Sequence, residues 1–182
     1  MAGRSDLELV VLGVVWKMGP CTPYAIRREF LTSPTPHFSG SAGAIYPLVR
    51  RLERDGLLSS EAAQHGRRRS RLYRTTSKGT AVLKRWLRPP VPLKDIVGTY
   101  DPIRVRIYFL KASPPAQRRA LLDESLAEMK RRIPLLEADE RRYVESGDEF
   151  SRLASHGIQK SLDARIAWLE EVRRKLISRG LA

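Results

Sequence analysis

The sequence predicts a mainly α-helical protein with one small β-hairpin, ended by a pair of long helices. Three observations carry that reading. Apolar residues recur at helical spacing in three short segments before residue 55. The pattern then changes to two short extended runs around a glycine- and arginine-bearing loop. After a proline-rich break, two long apolar stripes follow.

Leu7, Val10, Val11, Val14 and Met18 fall on one face of a first helix, stopped by Gly19-Pro20. Thr22-Pro23 starts the second, because threonine caps a helix and proline fits its first turn. Ile26 and Phe30 are its inner stripe, and Ser33-Pro34-Thr35-Pro36 ends it. A third helix is expected from about Ser41 to Asp55, with core residues Ile45, Leu48, Val49 and Leu52. Its opposite face is Gly43, Pro47, Arg50 and Arg54, flanked by Tyr46 and Arg51. Leu57–Ala62 and Arg71–Thr75 read as strands joined by a hairpin tip over Gln64–Ser70. Thr76 then caps a fourth helix carrying Val82, Leu83, Trp86 and Leu87.

Pro89-Pro90-Val91-Pro92 cannot lie within a helix or central strand, so it is read as a linker. The expected organisation is a domain over 1–88, a linker over 89–102 and a helical domain over 103–182. Ile103, Ile107 and Leu110 fit a helix, which is preferred to a strand because helices flank the segment. A long helix after Pro114-Pro115 carries Leu122, Leu126, Met129, Ile133 and Leu136, with a kink expected near Pro134. The last helix, about Glu149–Ile177, carries Leu153, Ile158, Leu162, Ile166, Leu169, Val172 and Leu176. Two long amphipathic helices in a small chain favour subunit association. Leu122, Leu126, Met129 and Ile133 are the expected dimerisation residues of the first helix. Leu162, Ile166, Trp168, Leu169 and Leu176 are those of the second.

Charge points to the partner. The 182 residues hold 34 Lys+Arg against 20 Asp+Glu, a net +14. Residues 1–88 contribute 16 basic and 6 acidic side chains, so most of the excess precedes the linker. A polyanion is the favoured partner, nucleic acid ahead of membrane surface. One cysteine excludes an internal disulfide, and three histidines leave too few ligands for a Cys/His zinc site. The apolar run Leu9–Trp16 is too short for a membrane span, and Asp6 and Glu8 stand where a signal peptide is basic. A cytoplasmic protein without metal or cofactor is expected. No acid, base or nucleophile is spaced for a reaction: Cys21 with His37 lacks a third orienting group, and Asp139-Glu140 and Glu170-Glu171 read as solvated helix faces. Ser146-Gly147-Asp148-Glu149-Phe150 reads as a turn capped by Asp148.

Three helices, a hairpin and a closing helix are the order of a winged helix-turn-helix. The major groove of B-DNA is about 12 Å wide and admits one helix with a basic face. The third helix offers that face, and Arg67, Arg68, Arg69 and Arg71 at the hairpin tip are expected to reach adjacent phosphates or a minor groove.

The resemblance then becomes specific. Gly19-Pro20 before Tyr24, Ser41-x-Gly43-x-Ile45-Tyr46-Pro47-Leu48-x-x-Leu52-Glu53-x-Asp55-Gly56-Leu57, then Gly66-Arg67, Tyr73, Thr76 and Gly79 together resemble the PadR family of bacterial transcriptional regulators. The resemblance implies that Ser41–Asp55 is the recognition helix and 58–75 the wing. Cys21-Thr22-Pro23 departs from the family's shorter connection and is expected to adjust a turn. Ser161 to Glu171 resembles the C-terminal helical domain of the virulence-gene activator subgroup, which implies homodimerisation.

The expected DNA-binding residues are Tyr24, Ser39, Ser41, Gly43, Tyr46 and Pro47, with Arg50, Arg51, Arg67, Arg68, Arg69 and Arg71. Tyr46 reads equally as a DNA contact and as a packing residue. Trp16, Trp86 and Trp168 read most simply as core or interface aromatics. Some family members bind flat aromatic effectors between subunits, which makes Trp86 and Trp168 candidates for a small aromatic ligand. The expected function is a homodimeric, sequence-specific repressor on a palindromic operator in double-stranded DNA. The alternatives are a transcriptional activator and a nucleoid or RNA protein without sequence preference.

Overall fold

The computed structural model describes residues 4–33, 40–65, 68–97 and 101–182. It divides into two compact units, residues 1–97 and 98–182.

In the first unit, α1 (Asp6–Met18), α2 (Pro23–Thr32) and α3 (Ala42–Arg54) precede an antiparallel hairpin, β1 (Leu58–His65) and β2 (Arg68–Thr75), and α4 (Ser77–Trp86) closes it. Each of these four helices starts on a hydroxyl cap. Ser5 accepts from the Glu8 amide and Glu8 from the Ser5 amide, a reciprocal capping box. Thr22, Ser41 and Thr76 accept from the Ala25, Ala44 and Gly79 amides at 3.0–3.2 Å. A short helix, α5 (Leu93–Val97), lies within the segment read as a linker.

The stripes read for α2 and α3 meet in one core, whereas the fully buried face of α1 is turned from the expected one. Of the stripe read there only Val11 is inaccessible, and Leu7, Val14 and Met18 pack at the edge. Val11, Leu12 and Val15 of α1, Ile26 of α2, Ile45, Val49 and Leu52 of α3, and Leu57 and Leu58 are all essentially inaccessible. Leu83 joins them from α4, whereas Trp86 and Leu87 project from its end and are exposed. Cys21 pairs with Tyr73 through both backbone bonds, Cys21 N–H to Tyr73 O at 3.0 Å and Tyr73 N–H to Cys21 O at 2.8 Å. The turn at Cys21-Thr22-Pro23 thereby ties α1 and α2 to the root of the hairpin.

The strands are longer than the sequence reading placed them. Pairing runs from Leu58↔Thr75 to His65↔Arg68, so only residues 66 and 67 separate the strands. Arg68, Arg69 and Arg71 therefore belong to β2 and not to a loop. Tip residues such as Ala63, Gln64 and Ser70 lack the alternation that marks a half-buried strand, which is why the sequence reading stopped short.

In the second unit, a short α6 (Pro102–Tyr108), capped by Asp101, leads to α7 (Pro115–Ser146) and α8 (Glu149–Ser178). α7 continues through Pro134. Gly147 ends it at φ +67°, a conformation glycine adopts without strain, and Asp148 caps α8 through the Ser151 amide.

The two long helices form an antiparallel hairpin whose seam is internal. Leu122, Leu126, Ile166 and Leu169 are buried against each other, with Met129, Ile133, Leu162, Trp168 and Leu176 packed around them. Ile103 and Ile107 of α6 join the same cluster. The side chains expected to be dimer contacts thus pack against one another within the chain. A 3.6-residue stripe identifies a face that must be covered and does not say which helix covers it. The exposed apolar side chains of this unit are others, among them Tyr108, Phe109, Val144, Phe150 and Leu153.

Candidate nucleic-acid interface

The third helix divides cleanly into two faces. Ile45, Leu48, Val49 and Leu52 are buried, while Gly43, Pro47, Arg50, Arg51 and Arg54 are exposed and Tyr46 is half-buried. Residues three or four apart lie on one side of a helix, so Gly43, Pro47, Arg50 and Arg54 form a continuous outward strip. Nothing lies within 4 Å of a Cβ built on Gly43. Pro47 has no N–H to return to the carbonyl of Gly43, so this face also carries a backbone acceptor without its usual helical donor.

The basic side chains differ in what holds them. Arg50 and Arg54 are exposed and enter no ion pair among the described residues. Arg51 is tethered: its Nε donates to Glu8 Oε1 at 3.2 Å. Arg4 joins the same carboxylate at 3.3 Å and also reaches Asp55 Oδ2 at 3.0 Å. This network clamps the start of α1 to the end of α3. Arg71 is likewise engaged, with Nε on Ser60 Oγ at 2.7 Å and Nη2 on Glu53 Oε1 at 3.0 Å.

The Glu8 carboxyl is buried, which pushes its pKa up, yet it lies below the ordinary glutamate range. The Ser5 amide and hydroxyl and the charges of Arg51 and Arg4 together outweigh burial. The folded state therefore holds the Glu8 proton less tightly than the unfolded chain. The clamp stabilises fully above the unfolded glutamate value and is lost as pH falls through the folded one. Glu8→Gln is expected to lower stability at about pH 7 and to cost less at about pH 3. Urea unfolding at the two pH values checks this, and an equal loss at both would contradict the clamp.

The remaining predicted residues sit as follows. Tyr24 is exposed on α2, and Ser41 is an exposed cap at the start of α3. Arg68 and Arg69 occupy strand positions opposite His65 and Gln64. Ser39 and Arg67 lie outside the described residues, as does His37. Burial pushes the Cys21 thiol up, away from thiolate chemistry, and its backbone bonds give it a structural place. The sequence reading gave Glu8 and Glu53 no role, although an acid inside an otherwise basic surface was the available signal.

Among the described residues no group of three or more His, Cys, Asp or Glu is placed to hold a metal ion, and no helix is long and apolar enough to cross a membrane.

Comparison with known proteins places this architecture. Residues 11–85 match the model of the transcriptional regulator PadR-like family, and residues 100–176 match the virulence activator alpha C-terminal model. No curated protein sequence matches significantly. The chain is similar to Bacillus subtilis PadR in complex with operator DNA, with a TM-score of 0.79 and 20% identity over 95% of this chain and 99% of that one. It is similar to the same Bacillus subtilis protein in complex with p-coumaric acid, with a TM-score of 0.70 and 20% identity over 93% and 98% of the chains. The Vibrio cholerae virulence activator AphA matches with a TM-score of 0.69 and 19% identity over 96% and 99%. At such identities the structural likeness speaks to fold, a winged helix-turn-helix followed by long helices. Residues 11–85 thus carry a domain of the PadR-like family of transcriptional regulators, and residues 100–176 a C-terminal region of the virulence activator alpha type.

Proposed function

We propose that the protein is a homodimeric, sequence-specific DNA-binding repressor that acts on a palindromic operator. The observation that carries this reading is the outward strip of α3. A helix whose buried face fills the core presents Gly43, Pro47, Arg50 and Arg54 to solvent, beside an arginine-bearing hairpin. A guanidinium without an acid partner meets a base edge or phosphate without first giving up an ion pair. Arg50 is the base-reading residue, and Arg54 and the wing arginines Arg67, Arg68 and Arg69 contact phosphate. Arg51 acts in part as the tie to Glu8.

Two-fold symmetry of the dimer then requires two half-sites about 10 bp apart, or a multiple of that spacing. Since the seam of α7 and α8 is filled from within the chain, the dimer contact falls to exposed apolar side chains such as Val144, Phe150 and Leu153. A small aromatic effector completes the reading, in line with the p-coumaric acid complex of the Bacillus subtilis protein. Trp86, which is 43% exposed, is a better candidate contact than Trp168, which packs in the helical seam.

The test separates base reading from phosphate contact. Arg50→Ala is expected to cost about 1–3 kcal/mol on the preferred duplex and little on random DNA. Removing charge at Arg67, Arg68 and Arg69 is expected to weaken binding to every duplex. The slope of log K against log salt should also flatten by about 0.9 for each phosphate no longer neutralised. Gel shifts of both variants on selected and random duplexes measure this, and identical behaviour of the two would contradict the division. Similarity to the Vibrio cholerae activator makes activation the second reading. Transcription from a reporter carrying the selected operator decides between them.

A further inference from the structure

The wing and the recognition helix are joined at one carboxylate. Glu53, on the last turn of α3, receives the Ser60 hydroxyl and Arg71 Nη2 on Oε1, and the Tyr73 hydroxyl at 3.4 Å on Oε2. Ser60 lies on β1, Arg71 and Tyr73 on β2, and Ser60 is the register partner of Tyr73. Ser60 also accepts from Arg71 Nε, so its one hydroxyl donates to the acid and accepts from the base. Both strands of the wing therefore converge on a single side chain of the helix read as entering the groove.

We propose that Glu53 is a positioning residue: it fixes the wing relative to α3 and presents the Arg71 guanidinium, edge-on, as a preset phosphate contact. Glu53 and Ser60 occupy one edge of the guanidinium fork, Nε and Nη2. The side chain remains 59% exposed, so the rest of the fork faces solvent. A guanidinium held in this way has already given up rotamer freedom before DNA arrives, so that cost does not fall on binding. The inference rests on the DNA-binding reading above and adds a residue that touches no DNA.

Simple charge counting makes the opposite prediction, which gives the test its sign. Glu53 is an acid on a basic surface, and removing its charge raises the attraction for a polyanion. If Glu53 positions Arg71, Glu53→Gln instead weakens binding. The experiment uses the full chain with a duplex enriched by the wild type from a random pool, and compares Glu53→Gln, Arg71→Ala and the double variant. Glu53→Gln is expected to bind that duplex about tenfold more weakly and to lose backbone protection on the wing side in a hydroxyl-radical footprint. In the Arg71→Ala background the same substitution is expected to cause no further weakening, since only the loss of the acid charge remains. Equal or tighter binding by Glu53→Gln, or a weakening that persists without Arg71, overturns the proposal.

Should Glu53→Gln also lower the melting temperature, Ser60→Ala is the second variant, since it removes the bridging hydroxyl and keeps both charges. Loss of wing-side protection supports the proposal there, and unchanged protection overturns it. A wild-type chain that enriches no duplex sequence overturns the DNA-binding reading together with this inference, whereas the outcomes above overturn this inference alone.

Discussion

Gly79→Ala is expected to abolish cooperative folding of the first unit or to destabilise it by about 3 kcal/mol or more. Replacing glycine by alanine within a helix ordinarily adds about 0.5–1 kcal/mol of stability. Here the sign reverses because of what the methyl group meets. A Cβ at Gly79 lies 2.1 Å from the carbonyl oxygen of Leu57, 3.0 Å from its carbon and 3.3 Å from Leu12 Cδ1. The carbonyl cannot retreat easily, since it accepts the Thr76 amide at 3.0 Å and Leu57 is itself fully buried. Relief therefore requires α4 to move off the helix–hairpin junction, which opens the core around Leu12, Leu57 and Leu83. Urea unfolding followed by circular dichroism measures the loss. A neutral or stabilised Gly79→Ala would show that α4 does not approach Leu57 this closely.

Leu169→Ala is expected to cost about 2–5 kcal/mol in the second unit. Leu169 is fully buried in the α7–α8 seam, where deleting its isobutyl group leaves a cavity between Leu122, Leu126 and Ile166. Phe150 provides the contrast. It is 87% exposed, so Phe150→Ala is expected to leave monomer stability within about 0.5 kcal/mol, while weakening self-association if it lies in the dimer contact. Unfolding curves together with sedimentation at several concentrations separate the two effects. A stable Leu169→Ala chain with impaired association would make the seam a dimer contact after all.

That pair shows where the sequence was legible and where it was not. Helical period, hydroxyl caps and the stop signals at Gly19-Pro20 and Asp55-Gly56 are local, and local chemistry decided them. The four core residues of α3 were read correctly because burial on one face imposes a period on the sequence. Leu122 and Leu169 obeyed the same period, but the partner that covers a stripe is a matter of tertiary arrangement, and two antiparallel helices joined by Gly147 can cover each other. The extent of the hairpin was missed because its outer residues lack the apolar alternation that burial of one face imposes. Glu53 illustrates the limit for the candidate site. It stood in the family motif, yet its partners Ser60, Arg71 and Tyr73 are 7, 18 and 20 residues away, and only the fold brings them to one carboxylate.

The proposed function depends above all on paired α3 helices reading DNA sequence with two-fold symmetry. Selection of duplexes from a random pool by the intact protein, followed by sequencing, measures it directly. The expected result is an enriched inverted repeat with half-site centres about 10 bp apart, or a multiple of that distance, which Arg50→Ala no longer enriches. A pool that gains no sequence preference, or an enrichment that survives Arg50→Ala unchanged, would contradict it.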